Sequence, residues 1–321
     1  MYSRRDFGKL ALLSAPLAAL KSAPADGATT AATPIGVTTF SFRDLPQKGG
    51  RDRLGRVLDS LKAVGATTIE LHSVDTESPE PIGGLPKPQT GGAYGGMTVE
   101  LTPAELAHIK LANRNNLRHW RLETKPAVYE SMRDRFDSAG VKITAYRVDY
   151  DDAFTDDEIV ATFAQSKTLG AGVISSAASI AMARRLAPLA DAHHVVIAFR
   201  NSSPKDGDMA LPASLSSALA LSKNFRVALD IGAFTASNQQ AVAYIQENHA
   251  VISHIVVKDR TRDGGGNEEF GNGDTPIKPV MHLLKEKQFA VPAFVEYEYL
   301  GVGTPEAEVK RCLAYVKAAL A

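Results

Sequence analysis

The chain of 321 residues has one cysteine, Cys312, one tryptophan, Trp120, and no excess of either charge, with 36 basic and 36 acidic side chains. A single cysteine excludes an internal disulfide framework. It falls within the helical pattern EAEVKRCLAYVKAAL, where a buried structural thiol is expected. Zero net charge removes the electrostatic footprint that nucleic acid or an anionic membrane surface demands, so neither is expected as a partner. The apolar stretch from Leu10 to Leu20 is shorter than the ~20 residues that cross a bilayer, so no integral membrane anchor is expected. A glycine-rich phosphate loop is missing too. GVTTFSFRDLPQKGG has the wrong order and spacing for one, which disfavours a doubly wound dinucleotide-binding sheet.

What is present at the start of the chain reads as a targeting segment. Ser3-Arg4-Arg5-Asp6-Phe7-Gly8-Lys9 resembles the twin-arginine export motif, followed by the apolar stretch and small residues at Ala23, Ala25 and Ala28. Residues 1–30 are expected to be a twin-arginine signal peptide, and residues 31–321 a single periplasmic domain.

From residue 35 onward, short β-branched runs alternate with amphipathic stretches that tend to end in glycine, as in KAVGA, DSAG and KTLGAG. Eight strands, each followed by a helix, imply right-handed βαβ units and a parallel sheet. The length suits an α/β protein of the (β/α)₈ TIM-barrel class, ~250 residues plus an insertion. That insertion is expected after strand two, at about residues 74–124, where SVDTESPEPIGGLPKPQTGGAYGGMTVE is too long and too rich in Gly and Pro for an ordinary connection.

Four strand ends carry polar side chains: Arg200 after VVIAF, Asp230 after RVAL, Lys258 and Asp259 after HIVV, and Glu296 after AFV. In a closed parallel barrel such positions converge on the C-terminal rim, where active sites of this fold lie. Glu70 and His72 on TTIELHS are two apart and share a face; facing inward, they would form an acid/base pair opposite Asp230. Phe40, Phe42, Phe199, Tyr146 and Tyr297 are candidates for a sugar-stacking wall, although barrel core is the commoner fate of such rings.

LDIGAFTASN, HIVVKDR, FGNGDTPIKPVM and FVEYEY, in that order, closely resemble the sugar phosphate isomerase/epimerase family, which belongs to the xylose-isomerase-like TIM barrels. The resemblance covers nearly the whole chain after the targeting segment. It implies a divalent metal (Mn, Mg, Co or Zn) at the barrel mouth, polarising the adjacent oxygens of a sugar while carboxylates move a proton through an enediolate. By position, Asp230 and Glu296 correspond to metal ligands and Lys258 to a rim lysine that contacts substrate. Family histidines are missing at three places. Arg200-Asn201-Ser202 stands where relatives read His-Asn-His, Ala233 where they commonly have His after Asp-Ile-Gly, and Val256 where they have His two residues before the Lys-Asp pair. His254 lies two residues further back, ~6–7 Å deeper along the strand.

Arg cannot ligate a metal, so the usual site is expected to be weakened or vacant, with Arg200 pairing with Asp230, Glu296 or both. Glu70 and Glu296 are the candidate catalytic carboxylates, and His72, Arg200, Asn201, Lys258 and Asp259 the candidate substrate-binding groups; Asp274, in the glycine turn of FGNGDTPIKPVM, is expected to cap the following helix. Two functional classes stay open: a sugar isomerase, epimerase or lyase, and a catalytically silent barrel that binds a sugar or glycoside or partners an active paralogue. A homo-oligomer is compatible with either.

Overall fold

Eight short strands pair side by side, all parallel, and close on themselves. They are β1 (Ile35–Thr38), β2 (Thr68–His72), β3 (Lys142–Arg147), β4 (Val173–Ser176), β5 (Ile197–Arg200), β6 (Phe225–Asp230), β7 (Ile252–Val257) and β8 (Ala293–Val295), with β8 bonded to β1. The computed structural model describes residues 33–45, 52–77, 102–203, 205 and 207–320, all within one unit spanning Ala32–Ala321. The expected (β/α)₈ barrel is thus the observed one. The twin-arginine segment and most of the Gly/Pro-rich loop after β2 lie outside the described residues.

The helices are α1 (Arg53–Val64), α2 (Pro103–Glu123), α3 (Pro126–Ser138), α4 (Asp156–Thr168), α5 (Ile180–His193), α6 (Pro212–Leu219), α7 (Ile231–Ala236), α8 (Ala241–Asn248), α9 (Ile277–Glu286) and α10 (Pro305–Leu320). Their faces follow the sequence pattern. In α9, Ile277, Val280, Met281 and Leu284 recur at the spacing of one helical stripe, and all four are buried. The strands are covered on both sides and read as near-continuous apolar runs, as in Ile255, Val256 and Val257. Helix α1 ends at Gly65 with φ 68°, the left-handed conformation that glycine adopts without a side-chain penalty.

Helix α2 attaches differently. Its only buried side chain is Arg121, so an apolar stripe does not hold it. Glu158, on α4, instead accepts hydrogen bonds from Arg114 (2.7 Å) and Arg118 (3.1 Å), while Arg121 reaches Glu77 at 2.7 Å. The part of the insertion that is described is therefore clamped by ions to the outside of the barrel.

One local expectation fails. Asp274 does not cap the helix after it: Pro276 holds the N-cap position of α9, and the Asp274 carboxylate accepts from the backbone N–H of Arg262 at 2.9 Å. It braces the loop between β7 and α9, which also contains a two-residue antiparallel ladder pairing Asp259 with Glu268. Among the described residues, no helix is long and apolar enough to cross a membrane.

Candidate functional site

Strand alternation sends every second side chain into the barrel, and two polar layers result. The lower layer joins three strands. Ser175 on β4 donates to Glu70 Oε1 on β2 at 2.5 Å, and His254 Nε2 on β7 lies 3.1 Å from the same oxygen. Phe294 on β8 packs edge-on to the His254 ring at 5.3 Å between centroids. Glu70 and His254 are both 1% exposed.

The upper layer sits at the C-terminal ends of the strands and is built around Arg200. Its guanidinium donates to Asp230 Oδ2 from Nε (3.2 Å) and Nη2 (2.8 Å), and to Glu296 from Nη1 (2.8 Å) and Nη2. Lys258 Nζ lies 3.0 Å from Asp230 Oδ2, 2.7 Å from Glu298 Oε2 and 3.5 Å from Glu296 Oε1. Thr38 completes Glu296 by donating to Oε2 at 3.2 Å. The planar fork of Arg fits two carboxylates at once, while the point charge of Lys fits where three converge.

Charge balance decides the protonation states. Burial alone would raise the Glu296 carboxyl, but Arg200 and Lys258 outweigh it and hold it far below the usual carboxylate range. The same contest, won by Lys258 and then Arg200, lowers Asp230. Burial would lower Lys258; Asp230 and Glu296 reverse that and raise it. Glu70 is opposed by burial yet held at about 2, first by the hydrogen bond and charge of His254 and then by Arg200. Each of these groups is charged across the physiological range.

These contacts place the expected site residues in separate roles. Arg200, Asp230, Lys258 and Glu296 meet in one network, as the strand-end pattern anticipates. Glu70 and His72 do not pair with each other. Glu70 bonds to His254 beneath Arg200 and does not line the cavity, so the structure does not bring it within reach of a ligand there. His72 Nδ1 accepts from the Val74 backbone at 3.3 Å and its Nε2 lies 3.5 Å from Asp149, leaving neither ring nitrogen free. Asn201 exchanges two hydrogen bonds with the Asp230 backbone, at 2.7 and 3.0 Å, and holds β5 to β6 at the rim. The Asp259 carboxylate points away from the cavity and accepts from the backbone N–H groups of Gly271, Gly273 and Thr275. That loop-bracing position replaces the substrate contact expected for it.

Sequence reasoning passed over Arg147 and Asp149. Arg147 Nη1 lies 3.6 Å from Glu296, and its other nitrogens grip Asp149, whose carboxylate also accepts from the Ala177 N–H at 2.9 Å. The signal was the i, i+2 spacing in YRVDY: Arg147 ends β3 and faces inward like Arg200 two strands away. Gly232 was passed over as well. A Cβ there would stand 2.7 Å from Lys258 Cγ, so the glycine of Asp-Ile-Gly opens the path along which Lys258 reaches Asp230.

Above the network lies a cavity of about 300 Å³, walled by Phe40, Arg147, Asn201, Asp208, Arg260 and Glu298 among others. Arg43 and Arg147 both approach the Phe40 ring, at 5.0 and 5.4 Å from its centroid, and fix it in place. No histidine lines this cavity among the described residues.

The donor set does not fit a divalent ion. A metal needs free carboxylate lone pairs at ~2.0–2.6 Å. Asp230 Oδ1 accepts from the Ala233 N–H, while Oδ2 and both Glu296 oxygens are engaged by Arg200 and Lys258. An ion bound to either carboxylate would also stand beside two fixed positive charges. Among the described residues, no cluster of three or more His, Cys, Asp or Glu side chains has the arrangement of a metal site.

Comparison with known proteins agrees with the fold. Residues 176–319 match the family model described as xylose isomerase-like TIM barrel. Solved structures superpose over most of both chains. A D-psicose 3-epimerase crystallised in the presence of D-fructose gives a TM-score of 0.59 at 10% identity, covering 90% of this chain and 99% of that one. An L-ribulose 3-epimerase gives 0.57 at 14% identity, covering 90% of this chain and 94% of that one. A probable 3-DHS dehydratase of petrobactin synthesis from Bacillus anthracis gives 0.55 at 12% identity, covering 89% and 98%. The sequence matches no curated protein. Residues 176–319 thus resemble xylose isomerase-like TIM barrels, and the solved neighbours, among them proteins named as sugar isomerases and epimerases, share the barrel fold.

Proposed function

We propose that this chain is an exported, carbohydrate-directed barrel that holds an uncharged sugar or keto-sugar without a divalent ion, its cationic centre being Arg200 with Lys258. One observation carries the reading: the Arg200 guanidinium bridges Asp230 and Glu296, the carboxylates that the family resemblance assigns to the metal. A metal at a barrel mouth supplies fixed positive charge and orients vicinal oxygens. Here fixed charge comes from two side chains, and orientation from carboxylates whose geometry they lock. Glu298 at the cavity wall offers an acceptor for sugar hydroxyls, and the braced Phe40 ring adds an apolar wall.

The same locking argues for binding over proton transfer. A general base works best with a pKa near the operating pH, whereas Glu296 and Asp230 are both held low. A second reading, isomerisation or epimerisation by proton transfer, draws on Glu298. Its side chain is 25% exposed and lines the cavity beside the Lys258 ammonium, a carboxylate–ammonium pair at the wall. The residues that precede the barrel fit export to the periplasm, where free sugars and glycosides are the ligands at hand.

Calorimetric titration of the purified protein with a panel of free aldoses and ketoses, in EDTA and again with Mn²⁺, tests the reading. Saturable binding that is unchanged by EDTA is expected. Binding that requires Mn²⁺ would overturn it. Incubation of bound ketoses in D₂O, read by proton NMR, separates the two readings: deuterium incorporation at the carbon beside the carbonyl would establish the second.

A further inference from the structure

Arg147 ends β3 in the wall of the cavity above the Arg200 network, with its side chain only 12% exposed. One side of its guanidinium is committed. Nε donates to both Asp149 oxygens, at 3.2 and 3.1 Å, and Nη2 lies 3.0 Å from Oδ2. The remaining nitrogen is not committed. Nη1 stands 3.6 Å from Glu296 Oε2, beyond hydrogen-bonding distance, and that oxygen already accepts from Thr38 and Arg200. Among the described residues Nη1 has no acceptor, and it is not one of the buried atoms left without a partner. Two N–H bonds of a held guanidinium therefore stay accessible at the cavity wall.

Its neighbours hold the group in place. Asp149, the anchor, accepts from the Ala177 N–H at 2.9 Å and lies 3.5 Å from His72 Nε2. The Phe40 ring centroid is 5.4 Å from Arg147 Cζ. Other polar groups of the wall are engaged within the protein. The Asp208 carboxylate accepts from the Ile180 N–H at 3.1 Å, the Asn201 amide is paired with the Asp230 backbone, and Lys258 meets three carboxylates. A donor left open on a braced side chain has little freedom to lose on contact, which favours binding.

From this we infer that Arg147 is a ligand-binding residue, whose Nη1 donates to one uncharged oxygen of a sugar held in the cavity. This deepens the proposed function and rests on it for the sugar. The charges around Nη1 select the kind of oxygen. Asp149 already balances Arg147, and Glu296 Oε2 is 3.6 Å from Nη1. A carboxylate or phosphate bound there would stand against two fixed negative charges. A carbonyl, ring or hydroxyl oxygen meets no such repulsion and still accepts the hydrogen bond. Arg147 thus supplies the donor that complements the acceptor at Glu298 in the same wall.

The test titrates free aldoses and ketoses, their monodeoxy analogues and the matching sugar acids into the native protein and Arg147→Met. For a sugar that binds the native protein, loss of one particular oxygen should weaken binding roughly tenfold or more, as a hydrogen bond to a charged group implies. Arg147→Met should bind the parent sugar about as weakly as the native protein binds that analogue, and should no longer distinguish the two. Removal of any other oxygen should cost the same in both proteins, and no acid should outbind its neutral parent. If Arg147→Met fails to fold, Arg147→Lys gives the same comparison, because lysine keeps a cation at Asp149 and has no second nitrogen to extend to the ligand. Unchanged affinity of the variant for a sugar that binds would overturn the inference and leave the cavity reading intact. A variant that binds more weakly yet keeps every analogue's penalty would overturn it as well, since Arg147 would then only shape the wall. Tighter binding of an acid than of its parent, lost on substitution, would overturn the assignment of an uncharged oxygen. Absence of binding by every sugar would remove the cavity reading, and this inference with it.

Discussion

Arg200 and Glu296 form a two-pronged ion pair, 5% and 1% exposed, between the ends of β5 and β8, three strands apart around the barrel. Removing one partner of a buried pair leaves an uncompensated charge and costs about 3–5 kcal/mol. Arg200→Met should therefore lower the stability by about that amount, since it leaves Asp230 and Glu296 with only Lys258 between them. The double variant Arg200→Met/Glu296→Gln should cost clearly less than the sum of the single changes. Urea unfolding of the four proteins measures this coupling.

The network fixes a pH window. Glu296 and Asp230 have lowered pKa values in the folded protein, so their stabilisation is full above the unfolded carboxylate range near ~4 and is lost as pH falls through the folded values. Lys258 is raised, so its contribution is full below ~10.4 and is lost as pH rises through its folded value. The melting temperature should hold a plateau between about pH 5 and 10 and fall on both sides. In Arg200→Met the acid-side fall should be smaller, because its onset is set by the unfolded carboxylates and loss of the Arg200 charge narrows the gap between folded and unfolded pKa values.

Gly232→Ala should disturb the site from behind. The added methyl would meet Lys258 Cγ and, at 2.8 Å, the Lys258 carbonyl oxygen. A loss of about 1–3 kcal/mol is expected from overpacking. Sugar affinity, read by calorimetry, should fall as well, since the ammonium can no longer keep its place at Asp230.

Asp259→Ala separates bracing from binding. Three backbone N–H groups lose their acceptor, so the melting temperature should drop, by an amount corresponding to about 1–3 kcal/mol for each donor left buried. Affinity for a small sugar should change little, because Asp259 does not line the cavity. A loss of affinity with unchanged melting would return Asp259 to the substrate-binding group.

The sequence carried the barrel plainly, because strand and helix periods differ and the eight-fold alternation repeats. It carried the upper layer too: strand ends converge in a closed barrel, so Arg200, Asp230, Lys258 and Glu296 could be placed together before any coordinates. What it did not carry was pairing across the barrel. Glu70 and His72 share a strand face, but partners are set by which strands are opposite and at what height, and Glu70 meets His254 from β7 while His72 turns to Asp149 beyond β3. Asp259 shows the same limit in a loop, where backbone donors twelve to sixteen residues away claim its carboxylate. Arg147 was legible from the i, i+2 spacing with Asp149 at the end of β3, but its reach to Glu296 depends on strands that meet only in the closed barrel.

A guanidinium standing where a metal would act leaves no place for the ion, and titration of the EDTA-treated protein with Mn²⁺ tests this most directly. No saturable heat, and no rise in melting temperature with added ion, is the result predicted for a network whose carboxylate oxygens are engaged by Arg200 and Lys258. Stoichiometric binding at micromolar Mn²⁺ would contradict it, because Asp230 and Glu296 would then have to release Arg200 to take the ion.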